Sequence, residues 1–324
     1  IKRTPVSEYA AQSKGGQGRK GITTREEDYV VDVFTASTHD YLLFFTDTGK
    51  VYRKKGYQIP ESGKAAKGTN IVNILQVEQG ERVQTMIHFR DFTEEELYLF
   101  MVTRRGTVKR LAVSALKNIR VSGIRALRLD EGDALISVLE TDGGQDVLIA
   151  THDGMAICFK ETDVRCMGRD AAGVRGINLR PGDYVVGAAR AKRDHQVLMI
   201  TENGYGKRTP VEEFTVHHRG GGGMMLHNLT EKTGLVAGIA VVDSENDVMI
   251  ITDDGVIIRT GVEEIRECGR GSQGVIVMRT GTDVKVISIA RTDKEEEDET
   301  AEEAAESIET AETVTDTPAT TGEE

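Results

Sequence analysis

Short apolar stretches alternate with polar turns along most of the chain, and the alternation has a long period. Leu42-Leu43-Phe44-Phe45, Val197-Leu198-Met199-Ile200 and Val248-Met249-Ile250-Ile251 each run into a Thr-x-x-Gly motif. The motif occurs at Thr46 to Gly49, Thr103 to Gly106, Thr151 to Gly154, Thr201 to Gly204 and Thr252 to Gly255. A second strand-like stretch follows each motif and ends in Arg53, Arg110, Arg208 or Arg259, while the third copy has Cys158 in that place. Two such stretches around a Gly-containing tip predict a tight β-hairpin, because Gly and Asn tolerate positive φ. Fifteen residues after the marker stands another Gly: Arg53 to Gly68, Cys158 to Gly173, Arg208 to Gly223 and Arg259 to Gly274, with Arg110 reaching Gly123 two residues sooner. Arg3 to Gly18 fits the same ruler, which gives six copies about fifty residues apart. Beyond the Gly the alternation resumes, as in Ile71 to Leu75, Val174 to Leu179 and Val275 to Met278. Turns such as Glu131-Gly132-Asp133 and Pro181-Gly182-Asp183 then lead into Leu135 to Leu139 and Val185 to Ala189. Each repeat thus predicts four short strands, and six such repeats predict an all-β, propeller-like ring of four-stranded blades.

The ends favour a closed ring over a linear β-solenoid. The sixth repeat runs through Val284 to Ala290 and stops without its hairpin. Lys2-Arg3-Thr4-Pro5 matches Lys207-Arg208-Thr209-Pro210, so residues 1–5 read as the last strand of a hairpin whose first strand is missing. That N-terminal strand is expected to complete the sixth blade and leave little open sheet edge. The expected organisation is one domain over residues 1–291 and a tail over 292–324.

The formal net charge of −12 changes meaning once it is located. From Arg291 onward fourteen acidic side chains face two basic ones, which leaves −12, so the first 290 residues, with 39 of each sign, are neutral. The tail's Glu, Thr and Ala offer little apolar surface to offset the entropy of ordering, and disorder is expected there. Apolar residues make up 38% of the 324, and no run reaches the ~18 that a membrane span needs. The basic pair near the start is not followed by an apolar signal segment, so a soluble, cytoplasmic protein with no membrane association is expected. Cys158, Cys166 and Cys268 leave one thiol unpaired under any pairing, and no CxxC occurs, which fits reduced thiols. His217, His218 and His227 lack zinc-site spacing, so no metal site is expected.

The chemistry lies in the loop ahead of each repeat Gly. Four positions before it stand Lys14, Lys64, Arg169, Arg219 and Arg270, and the shortened third copy has Arg120 three positions before Gly123. Lys67, Arg125 and Arg175 flank the same glycines and join the candidate set. A basic residue recurring in register around a neutral ring would give a positive stripe, which suits a polyanion running around the molecule better than a single pocket. Gly beside the charge lets a phosphate approach backbone N–H groups. Aromatic residues make up only 5%, so no stacking platform for single strands is evident.

One copy of the loop is distinctive: Gln12-Ser13-Lys14-Gly15-Gly16-Gln17-Gly18-Arg19-Lys20-Gly21. It resembles the Gln-basic-basic-Gly-Gly-basic-Gly box found in C-terminal domains of DNA gyrase A subunits. Ser13 and Gln17 stand where that box is basic, with Arg19 and Lys20 offering replacement charge. Lys2 to Tyr9, Ser37-Thr38-His39-Asp40 and Gly204 to Thr209 are also similar to that family, and His217 to Gly223 resembles a degenerate second box. The resemblance implies a six-bladed β-pinwheel, a propeller relative whose blades exchange strands. It also implies duplex DNA bent around the rim, with contacts from Gln12, Lys14, Gly15, Gly16, Gly18, Arg19 and Lys20. Its implied partners are the remainder of the gyrase A subunit and the gyrase B subunit, in bacterial cytoplasm at the nucleoid, with the isolated domain a monomer. ATP and Mg would be used elsewhere in that enzyme, and no cofactor is expected in this chain. No catalytic residue is expected either: the chain has no Arg-Tyr dipeptide, which marks the family's nucleophilic tyrosine, and no GxxxxGK[ST]. Two alternatives share the architecture, the C-terminal domain of the topoisomerase IV A subunit and a propeller that binds a protein through an exposed apolar face.

Overall fold

The Thr-x-x-Gly motif seeds every sheet. In each copy the Gly N–H donates to the Thr carbonyl, as Gly49 to Thr46 (2.9 Å) and Gly204 to Thr201 (2.9 Å), and the Gly takes positive φ. The Thr side chain is buried, and its Oγ1 accepts the N–H four residues on: Lys50 on Thr46 (3.2 Å), Thr107 on Thr103 (3.0 Å), Met155 on Thr151 (3.2 Å), Tyr205 on Thr201 (3.2 Å) and Val256 on Thr252 (3.1 Å). A hydroxyl thus satisfies an amide that the turn removes from the ladder.

The computed structural model describes residues 1–5, 19–20, 36–63, 66–90 and 96–294. Five antiparallel hairpins are present among them: Tyr41–Thr46 with Lys50–Lys55, Tyr98–Thr103 with Thr107–Ala112, Asp146–Thr151 with Met155–Lys160, Gln196–Thr201 with Tyr205–Pro210, and Asn246–Thr252 with Val256–Gly261. Each gains a third antiparallel strand on its first member: Val83–Phe89, Leu135–Thr141, Val185–Arg190, Val236–Val242 and Val286–Asp293 in turn. These third strands pack against one another from sheet to sheet and so mark the inner edge of a propeller-like ring.

The opposite, outer edge of each sheet is borrowed. The second hairpin strand pairs with two residues that follow the Gly of the next repeat: Ile124–Arg125, Val174–Arg175, Met224–Met225 and Val275–Ile276 complete the first four sheets. The third sheet also takes Val216–His217 in parallel. A repeat therefore spends its strands on two sheets.

Because the sheets stack face to face, the first hairpin strands read as continuous apolar runs. Leu43, Phe45, Leu99 and Met101 pack between the first and second sheets, Phe100, Val102, Val147 and Ile149 between the second and third. Leu148, Ala150, Val197 and Met199 fill the next interface, and Leu198, Ile200, Val248 and Ile250 the last.

Two expectations require correction. Five sheets, not six blades, are present among the described residues. The sequence holds only five Thr-x-x-Gly hairpins, and of residues 6–35 in the N-terminal repeat only Arg19–Lys20 is described. Residues 1–5, moreover, do not complete the last sheet. Arg3 pairs in parallel with Glu61, the Ile1 amino group donates to the Thr69 carbonyl (2.7 Å), and Thr69 N–H donates back to Ile1 (2.8 Å). Arg3 holds the place of Arg110 and Arg208, which pair in parallel with Cys166 and Glu267, and a strand in that place takes its edge from the repeat that follows. By the same rule the last sheet takes its edge from the pair after Gly18: Arg19 pairs with Ile257 and Lys20 with Val256. The N-terminal repeat thereby meets the C-terminal hairpin. The last inner strand runs to Asp293, two residues past the expected boundary, and the tail from residue 295 lies outside the described residues. Among the described residues no helix is long and apolar enough to cross a membrane.

Candidate nucleic-acid interface

The outer edge is built by the repeat glycines. Gly68, Gly123, Gly173, Gly223 and Gly274 all have positive φ, between 71° and 96°. A Cβ on Gly223 would lie 2.4 Å from the Ala156 carbonyl oxygen, and one on Gly274 2.3 Å from that of Gly206. Only Gly lets the loop turn while its backbone presses on the preceding hairpin. The residues just before each Gly therefore sit on the outer edge of the previous sheet.

The described candidates divide into two groups. Lys67, Arg120, Arg125, Arg169 and Arg175 are exposed. Arg120 closes the tight turn into Gly123 through its carbonyl (2.9 Å), and Arg125 and Arg175 stand on the edge pairs themselves. Asp170 lies 3.9 Å from Arg125, a distance at which an exposed pair restrains the guanidinium little. Beside Gly173, Arg105, Asp130, Arg175 and Asn178 line an open cleft of about 410 Å3.

Arg219 and Arg270 form the second group, since their guanidiniums are spent partly on the fold. Arg219 donates to the carbonyls of Asp163 (3.0 Å) and Arg175 (2.8 Å), and Arg270 donates to that of Met225 (3.0 Å). Arg175 and Met225 are equivalent positions, two residues past the repeat Gly, so both arginines tie a loop to the edge pair of the preceding repeat. Glu213 also receives the Arg270 amide (3.2 Å). Gln12, Lys14, Gly15, Gly16, Gly18 and Lys64 lie outside the described residues, and Arg19 and Lys20 are placed by their backbone pairing alone.

Sequence reasoning missed the residues beneath the loops. Lys109 is fully buried in a strand, and its Nζ donates to the carbonyls of Ala126 (2.8 Å), Arg169 (2.7 Å) and Ala171 (3.0 Å). Lys207 repeats the arrangement, donating to Gly269 (3.1 Å), Arg270 and Ser272 (3.0 Å). Burial pushes both ammonium groups down to about 8. Lys2 reaches the Gly63 carbonyl (2.9 Å) from the same repeat position. Their equivalents in the intervening repeats are Tyr52, Ile157 and Ile258, all buried. That two-repeat alternation is the signal a comparison of the repeats could have used.

Several of the remaining buried polar groups are held by hydrogen bonds within the fold. Glu81 accepts from Thr46 (2.6 Å) and Tyr52 (2.7 Å), Glu161 accepts the Gly143 and Gln145 amides (2.8 Å each), and Arg259 pairs with Asp247 (2.8 Å). His227 is buried, and apart from a poorly aligned contact with the Ser272 backbone its ring nitrogens make no hydrogen bond among the described residues. Desolvation, aided by the Lys207 ammonium, lowers it to about 4. No three His, Cys, Asp or Glu side chains converge on a metal-sized site among the described residues.

The model of the family described as DNA gyrase C-terminal domain, beta-propeller, matches six segments: 1–37, 40–88, 97–142, 145–192, 195–243 and 246–293. The DNA gyrase A subunit of Staphylococcus aureus (strain NCTC 8325 / PS 47) is 45% identical over 300 residues, 92% of this chain and 34% of that protein. The chain thus spans about a third of the length of the curated relatives it matches. A solved DNA gyrase A C-terminal domain superposes with a TM-score of 0.81 at 26% identity, covering 90% of this chain and 95% of that one. The C-terminal domain of a DNA topoisomerase IV superposes at 0.72 with 27% identity, covering 95% and 94%.

Proposed function

The chain belongs to the DNA gyrase C-terminal domain family, and from that premise we propose that it binds duplex DNA along the outer edge of its sheets and bends the duplex around the domain. The supporting observation is the borrowed edge: each sheet receives its outermost residues from the loop of the next repeat. Exposed Arg120, Arg125, Arg169 and Arg175 thereby recur along one rim. Bending 20–30 bp by 40–90° costs on the order of 1–6 kcal/mol, and phosphate contacts distributed along the path offset it where one pocket would not. The loop text varies around the basic residues, so weak sequence preference is expected. Lys14, Gly15 and Gly16 would hold one end of the wrapped segment.

In a full-length protein of this family, the wrap would present a crossed duplex to the remainder of the gyrase A subunit and to the gyrase B subunit. Strand passage driven by ATP and Mg on those parts would then give negative supercoils, in the cytoplasm. This chain would need no cofactor of its own.

The test uses the chain with a linear duplex carrying fluorophores at both ends, without nucleotide or metal. Binding should shorten the end-to-end distance. The logarithm of the affinity should fall steeply with the logarithm of salt, by about 0.9 for each neutralised phosphate. A salt slope near zero, or tight binding with no shortening, would sink the wrapping reading.

A further inference from the structure

The buried lysines sit under the loops, not on the rim, and their placement follows a rule. Lys109 and Lys207 occupy the same position in the second and fourth hairpins, immediately before Arg110 and Arg208. Each ammonium is fully buried and spends its three N–H donors on three backbone carbonyls. The acceptors in the loop that delivers a basic residue are 169 and 171 for Lys109, and all three, 269, 270 and 272, for Lys207. Arg169 and Arg270 are themselves acceptors, so the ammonium grips the backbone of the very residue whose side chain bears the rim charge. The intervening loops rest on apolar surface instead. A Cβ on Gly123 would meet the Tyr52 ring at 2.8 Å, and one on Gly221 would meet Ile157 at 3.8 Å.

An isolated ammonium is costly to bury, and three converging carbonyls are what make it tolerable. The same contacts turn those carbonyls inward, away from any phosphate on the rim. The Arg120 loop has no ammonium beneath it, and the Arg219 loop is held from outside instead, by Arg219 on the Asp163 and Arg175 carbonyls and by the Gly220 N–H on Gly176.

We infer that Lys109 and Lys207 are positioning residues for DNA binding, each fixing from beneath the loop that carries Arg169 or Arg270. The inference rests on the DNA-binding reading above. It assigns no direct DNA contact to either lysine.

A double-mutant cycle separates positioning from both simple charge and simple stability. Lys109→Met, Arg169→Ala and the double variant are compared for duplex affinity at fixed salt, below the unfolding temperature of each. If Lys109 acts through the loop, Lys109→Met should weaken binding several-fold in the parent and little once Arg169 is gone. A buried charge acting only through its long-range field would give losses that multiply, and that result would overturn the inference. A wild type that shows no salt-dependent binding would instead overturn the DNA-binding reading itself.

Should the methionine variants not fold, hydrogen exchange on the unmodified chain decides the matter. Amides of residues 168–171 and 269–271 should exchange more slowly than those of 118–122, after correction for intrinsic rates. The difference should shrink from pH 7 to 9, because a neutral amine has two donors for three carbonyls. The groups facing Lys109 are Asp170, Arg169 and Cys166, and those facing Lys207 are Cys268, Glu213, Arg270 and His227. Cys166→Ser and Cys268→Ser variants serve as controls for the neighbouring thiols. Equal protection of these three loops at pH 7 would overturn the inference.

Discussion

His227 shows how a single side chain can run against its repeat. Leu127, Ile177 and Met278 stand buried and apolar at equivalent positions, and Val72 stands exposed, whereas His227 buries an imidazole whose ring nitrogens make no well-aligned hydrogen bond among the described residues. The folded protein keeps this imidazole neutral down to about 4, while in the unfolded chain it titrates near 6.5. Between those values the unfolded state binds the extra proton, so the contribution is present above pH 6.5 and lost as the pH falls toward 4. His227→Leu should flatten that acid limb in denaturant titrations and stabilise the domain by about 1–2 kcal/mol, since it replaces an unsatisfied buried polar group with the repeat's own solution. A variant whose acid limb is unchanged would show that other groups dominate it. Lys109 and Lys207 carry the opposite message about stability and binding. Their folded values near 8 lie below 10.5, so between 8 and 10.5 the unfolded state holds more protons and these groups raise stability with pH even as their grip on the loops weakens. Neither lysine was legible in the sequence, where a lysine in a strand reads as a solvent-facing one.

At the scale of elements, the hairpins were legible because their determinants are local. Thr, turn and Gly lie within four residues, and the apolar run before them announces a strand buried on both faces. Thr201→Val tests how much of the hairpin that hydroxyl secures. The change keeps the shape but strips the Tyr205 N–H of its buried acceptor, which should cost about 1–3 kcal/mol in urea unfolding with no change in the denaturant slope. A loss below about 0.5 kcal/mol would mean the amide finds another acceptor. The edge pairs were much less legible. Val174–Arg175 and Val275–Ile276 are two residues long, pair with a hairpin one repeat upstream, and differ in chemistry at the second position. Nothing local distinguishes them from a strand that stays within its own repeat. The same blindness assigned residues 1–5 to the last sheet, when the pair after Gly18 does that work. In the site, the regular basic position was visible, but not that Arg219 and Arg270 would turn back onto neighbouring carbonyls.

For the whole molecule, charge is partitioned along the chain: a neutral body and a tail of −12. Exposed charges are screened beyond about 8 Å at physiological salt, so the tail can compete with DNA only by lying close to the rim. Truncation after Lys294 should then tighten duplex binding several-fold at low salt and leave it unchanged at high salt, as read by titration of labelled DNA. Equal affinities at low salt would leave the tail without a role in binding. The borrowed edges have a further consequence, and it concerns time. A ribosome adding about 5–20 residues per second emits a hairpin several seconds before the pair that completes it. Each nascent sheet therefore waits with one side open for the next repeat, and the wait recurs from the first hairpin to the fourth. The last hairpin does not wait: its completing pair, Arg19–Lys20, precedes it in the chain. Of the five described hairpins, the last to emerge is thus the one whose missing piece is already at hand, and closing the circle needs only a search within the same chain.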